Sequence, residues 1–154
     1  MPIARWIFAA LLLAMALGQA LSLPEFTAAV ASYRVAAETG SGMLAWSLLL
    51  LQVLAGAGLL SGWPRIRPVA GWAGLAVALL WSALAVQAFA RGLSVPNCGC
   101  FGRYLAQELS WWVLVQDGYF VLLALIALRS AYRDRTPVSG QLQTTGSRLK
   151  REVQ

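Results

Sequence analysis

The chain has 154 residues, of which 59% are hydrophobic and only 12% charged, and its mean hydropathy is +0.66. Soluble domains carry about a quarter charged residues, so an ordinary water-soluble domain is excluded, and disorder is excluded for most of the chain. The net charge of +6 comes from basic residues placed between and beyond apolar runs, which is a membrane-topology pattern and not a nucleic-acid-binding face.

A helix crosses the hydrocarbon core with roughly 20 mostly apolar residues. Four stretches predict such helices, at 6–23, 43–60, 69–90 and 111–128. Backbone groups in lipid must bond within their own segment, which makes stretches of this length helical. Arg5 followed by an apolar run and Gly18-Gln19-Ala20 also has the outline of a secretory signal. The run is long for a signal and three more spans follow it, which favours a retained span.

In the first connection Phe26, Val30 and Tyr33 recur at helical spacing and predict a short amphipathic helix lying on the interface. Gly40-Ser41-Gly42 predicts a break before the second span. The second connection, 61–68, reads as a tight turn containing Trp63, Pro64 and Pro68. The third, 91–110, separates the last two spans. Beyond them, 131–154 reads as a polar, disordered tail following one four-helix membrane domain over 1–130. Small residues at Gly58, Gly62, Gly71 and Gly74 predict close helix packing. Trp6, Trp46, Trp63, Trp111 and Trp112 fall near the expected membrane boundaries.

Basic residues set the orientation. Arg5, Arg65, Arg67, Arg129, Arg133, Arg135, Arg148, Lys150 and Arg151 make nine on one side, against three, Arg34, Arg91 and Arg103, on the other. The positive-inside rule puts both termini in the cytoplasm and the first and third connections outside. The expected fold is therefore an all-α integral membrane four-helix bundle, N-in/C-in, in the cell inner membrane, with 91–110 on the periplasmic side.

The two cysteines, Cys98 and Cys100, are the candidate catalytic residues, and both lie in that outward connection. A bond between them closes a ring of about eleven atoms, and a strained bond of that kind suits exchange better than structural stapling. An inert staple stays open on spacing alone. Asn97, Gly99, Phe101 and Gly102 shape the loop, and Arg103, with Arg91, is expected to favour a thiolate. The chain has no His, which removes Ser-His-Asp and Cys-His catalysis. Two thiols do not make a structural zinc site, and no metal is expected. Asp117, beside Gln116, lies about two turns into the fourth span, where a carboxylate is costly and marks either function or helix bridging. Gln19, Gln52 and Gln87 are candidate partners for it within the membrane.

Cys98-Gly99-Cys100-Phe101-Gly102 resembles the CxCFG signature of the MauE family, accessory membrane proteins of methylamine utilisation within the wider DoxX-like group of four-helix membrane proteins. Phe26, Val30 and Tyr33 resemble the family's F-xxx-V-xx-Y segment. Gln52 falls where the family often carries an acidic residue ahead of a glycine, here Gly56. The stretch from Ser110-Trp111 to Asp117 resembles the segment after the signature, with Gln116 in place of the Arg of an Arg-Asn or Arg-Asp pair. The resemblance covers roughly residues 5–130 and implies maturation of an exported redox enzyme in the manner of methylamine dehydrogenase. The small subunit of that enzyme is rich in disulfides and carries a quinone cofactor made from its own tryptophans.

The expected activity is thiol–disulfide handling of such a periplasmic client, with a thiol–disulfide carrier protein as a further partner and the lipid bilayer as solvent. Two alternatives stay open. One is a membrane thiol oxidoreductase with quinone as its cofactor. The other is a non-catalytic scaffold or chaperone that holds the client at the membrane.

Overall fold

The computed structural model describes residues 2–35, 38–104 and 107–133. Five helices follow in chain order: α1 (Pro2–Leu21), α2 (Leu23–Ser32), α3 (Glu38–Leu60), α4 (Ile66–Ala90) and α5 (Trp111–Arg133). α1, α3, α4 and α5 are each long and apolar enough to cross a membrane. They pack in a closed ring, α1 on α3, α3 on α4, α4 on α5 and α5 back on α1, as short connections between antiparallel neighbours dictate. The protein is an all-α membrane bundle.

α1 begins at Pro2, four residues ahead of the sequence reading, and four further departures of the element boundaries have a local cause. α1 stops at Leu21 because Ser22 breaks the helix and Pro24 lies in the first turn of α2. α3 starts at Glu38 and runs through Gly40-Ser41-Gly42, the expected break. Each glycine costs about 1 kcal/mol there, yet Ser41 is buried and tertiary packing prevails. α4 starts at Ile66, so Pro68 sits inside its first turn, where no N–H bond is lost. α5 continues past 128 to Arg133, with Ser130 and Ala131 buried. The rest of the expected tail, 134–154, lies outside the described residues.

Glycines set the helix spacing. A Cβ on Gly58 would lie 2.6 Å from the Cβ of Ala70 on α4, and one on Gly71 would lie 2.7 Å from Leu128 on α5. These are bundle contacts of the small-residue kind. Gly62, the other end of the expected motif, faces open space. The core holds Phe8, Leu12, Leu48, Leu59 and Trp81. Many large apolar side chains point outward, among them Trp6, Trp46, Trp63, Trp111 and Trp112, the five tryptophans placed at membrane boundaries by the sequence.

α2 forms as expected, but its apolar face turns toward protein. Phe26, Val30 and Tyr33 are fully buried, and the rings of Phe26 and Tyr33 pack 6.2 and 6.4 Å from the ring of Trp81 on α4. The periodicity that predicts an interfacial helix is satisfied here by a cap over one end of the bundle. That end is where the third connection arrives.

Candidate functional site

The described residues of the connection 91–110 fold back into the mouth of the bundle instead of projecting from it. Its two arms are clipped together, with Leu109 N–H donating to the Val95 carbonyl at 3.0 Å and Cys98 N–H to the Gln107 carbonyl at 2.9 Å. At the tip, Asn97 closes a turn from both ends. Its Oδ1 accepts from Gly99 N–H and its Nδ2 donates to the Gly102 carbonyl, both at 3.0 Å. Gly102 has φ +60°, which a side chain rarely adopts.

Three successive carbonyls of this turn are held by side chains from α1 and the end of α2. Tyr33 Oη donates to Cys98 O at 2.9 Å. Gln19 Nε2 donates to Gly99 O at 3.3 Å and to Cys100 O at 3.0 Å. Ser22, at the α1–α2 break, donates to Gly18 O and accepts from Arg103 N–H at 3.2 Å. Buried backbone groups need such partners. The polar residues of α1 and α2 supply them, and in doing so fix the conformation of the Cys-x-Cys turn.

Cys98 and Cys100 stand as separate thiols, Cys98 buried and Cys100 half-buried. They are unequal. The Cys100 S–H donates to the Cys98 sulfur, and this brings the Cys98 thiol down to about 7 against the opposing effects of burial and of Asp117. The same bond, with burial, pushes Cys100 up well above the ordinary thiol range. Burial also pushes the Tyr33 phenol up, so it remains the donor its contact with Cys98 O requires. At neutral pH about half of the pairs carry a thiolate at Cys98 beside a thiol at Cys100. Since the thiolate is the reactive form, alkylation of Cys98 by iodoacetamide should rise about tenfold per pH unit below pH 7 and level off above it. An ordinary thiol keeps climbing to about 8.5, and a plateau there would contradict the pairing.

The other predicted residues fall into place unevenly. Arg103 does not supply the expected charge to the sulfurs. It pairs with Glu25 at 3.6 Å, and its guanidinium lies 5.5 Å from the Tyr104 ring centroid. Arg91 donates to Arg34 O and Gln87 Oε1. The thiolate at Cys98 owes its stability to Cys100 instead. Phe101 packs against the core. Gln19 and Gln87 are not partners of Asp117, since Gln19 holds the turn and Gln87 donates to Tyr33 O at 2.8 Å. Gln52 is fully buried on α3, and among the described residues neither its Oε1 nor its Nε2 has a hydrogen-bond partner.

Asp117 is buried, and among the described residues it makes no hydrogen bond or ion pair. It does reach the thiols electrostatically, opposing ionisation of both. The three groups share a cavity of about 540 Å³, whose walls include Trp81, Gln116 and Phe120. The sequence singles out Cys98, Cys100, Asp117 and Gln116, and the structure joins them in one place. It adds Gln19, Tyr33 and Ser22, which position the turn. A glutamine in an apolar span is itself a signal of such a role.

Two comparisons with known proteins bear on this site. The family model described as methylamine utilisation protein MauE matches residues 1–130. A methylamine utilization protein MauE from Paracoccus denitrificans is 32% identical over 128 residues, covering 80% of this chain and 68% of that protein. No solved structure matches the chain.

Proposed function

Because this chain belongs to the MauE family of methylamine utilisation proteins, we propose that it matures an exported redox enzyme of that system by oxidising client thiols at the Cys98–Cys100 pair. The observation that carries this reading is the docked turn with its two unequal thiols. An inert staple has no use for a thiolate beside a protonated thiol, and exchange chemistry uses both. The client is a periplasmic protein with several disulfides, of which the methylamine dehydrogenase small subunit is the model, reached directly or through a carrier protein. Loops one and three share one end of the bundle, since Tyr33 and Gln19 hold the turn. The excess of basic residues at the other end supports a periplasmic setting for the turn and an inner-membrane location.

In the oxidised state a client thiolate attacks Cys100. The Cys98–Cys100 bond breaks and Cys98 leaves as a thiolate, a low-pKa leaving group that departs readily. A second client thiolate then attacks its own sulfur in the mixed disulfide and releases Cys100. The client gains one disulfide and the pair takes up its two electrons.

Thiol labelling in intact cells with a membrane-impermeant maleimide, before and after reduction, tests the setting. Labelling that requires prior reduction but no permeabilisation is expected. Labelling that requires permeabilisation would overturn the orientation. Normal client maturation in the Cys98→Ser/Cys100→Ser double variant would replace exchange with a scaffold role.

A further inference from the structure

The cavity beneath the cysteine turn has no part in the client reaction just described. It runs along α5 from Trp112 to Leu123, about 16 Å of helix at 1.5 Å per residue, so it descends well into the bilayer-spanning part of the bundle. Its opposite wall is α1, at Leu11 and Met15. Its size lies within the roughly 300–1,000 Å³ of small-molecule sites. The cavity is bordered on α5 by Val115 and Tyr119, which are 51% and 73% exposed. On a membrane-spanning helix that exposure is to lipid. A water-soluble protein has no path along α5. A molecule dissolved in the bilayer has one.

Resting on the oxidising reading above, we propose that this cavity binds a lipid-phase quinone and that the Cys98–Cys100 dithiol reduces it. The chemistry of the walls selects this class of ligand. The walls are mainly apolar and include the rings of Phe120 and Trp112, which suit a flat ring. The polar groups include the two thiols, Asp117 and the amides of Gln107 and Gln116. A dithiol that has been reduced by a client must pass on two electrons, and a quinone accepts two electrons with two protons.

The step balances. Cys98 and Cys100 lose two electrons and form their S–S bond, while the quinone gains two electrons and becomes the quinol. One proton comes from the Cys100 S–H. The other is drawn from water and relayed through Asp117, a buried carboxylate with no hydrogen-bond or ion-pair partner among the described residues and within electrostatic reach of both sulfurs. An ionisable group placed so within a span is functional by default.

The test uses the purified full-length chain, reduced, in lipid nanodiscs under anaerobic conditions. Decylubiquinone is the probe, and oxidised glutathione is a water-soluble disulfide acceptor run in parallel. One quinone consumed per chain with loss of both thiols is expected, and Cys98→Ser should abolish it. Val115→Trp and Leu123→Trp, which fill the rim and floor, should each lower the ratio of quinone reduction to glutathione exchange at least tenfold. If one of them does not fold, the other reads the result. Glutathione exchange with quinone left untouched would overturn the quinone site and leave the exchange reading standing. Failure of both acceptors would remove both. Quinone reduction at an unchanged ratio in the two tryptophan variants would take the reaction out of this cavity.

Discussion

Cys98→Ser and Cys100→Ser should each reduce client maturation by at least about a hundredfold, while leaving insertion and helix content intact. Under the proposed mechanism neither variant can form the bond that would carry oxidising equivalents, so loss of either thiol is equivalent to loss of both. A second readout separates the two positions. In a Cys100→Ala variant the S–H donor that holds Cys98 near 7 is gone, while burial and Asp117 still oppose the thiolate. The alkylation midpoint of Cys98 should therefore move upward by more than a unit, a change of at least tenfold in thiolate at pH 7. Mass-spectrometric alkylation profiles against pH measure this directly. A midpoint that stays near 7 would mean that the turn's backbone, and not Cys100, stabilises the anion.

Gly102→Ala should unhook the turn without dissolving the bundle. The residue has φ +60°, and an added Cβ would collide with Ser22 Oγ and come within 2.6 Å of the Gly18 carbonyl oxygen. A serine hydroxyl can rotate away, but a helix carbonyl cannot. Left-handed backbone costs a residue with a side chain about 1–2 kcal/mol, and overpacking of this kind about 1–3 kcal/mol more. Opposing that are the four hydrogen bonds that Tyr33, Gln19 and Ser22 make to the turn, each worth about 1 kcal/mol. The two sums are comparable, so the undocked turn becomes a major state. Native-state alkylation of Cys98 at pH 8 should rise at least tenfold, with the circular dichroism of the helices unchanged. Slow, wild-type alkylation in the variant would show that the turn absorbs the methyl by moving as a unit.

Bundle architecture was legible because its cause is local. A span is recognised by the length of its own apolar run, and nothing distant alters that. The cysteine pair was legible for the same reason, as a short signature within one connection. What escaped was every relation between segments far apart. Gln19 reads as a polar interruption in a span, and its two carbonyl partners lie 80 and 81 residues on. Helical spacing gives Phe26, Val30 and Tyr33 a common face, but period alone does not say whether lipid or Trp81 covers it. Arg103 was read as the charge that tunes the thiols because it lies three residues from Cys100. In the fold it turns to Glu25, and the neighbouring thiol takes that role.

The bonds that seat the turn join residues 65 to 81 positions apart, and this bears on when the protein acquires its chemistry. Contacts of such long range form only after the segments between them have been placed. Cys98 therefore leaves the ribosome as an ordinary thiol. It acquires its buried, paired state once α1 and α2 are seated against the bundle and the third connection has been drawn down onto them. A chain halted midway through insertion carries both cysteines but no competent pair. Assembly therefore sets the moment at which the pair is poised, and a partly assembled chain carries two ordinary, open thiols in its place.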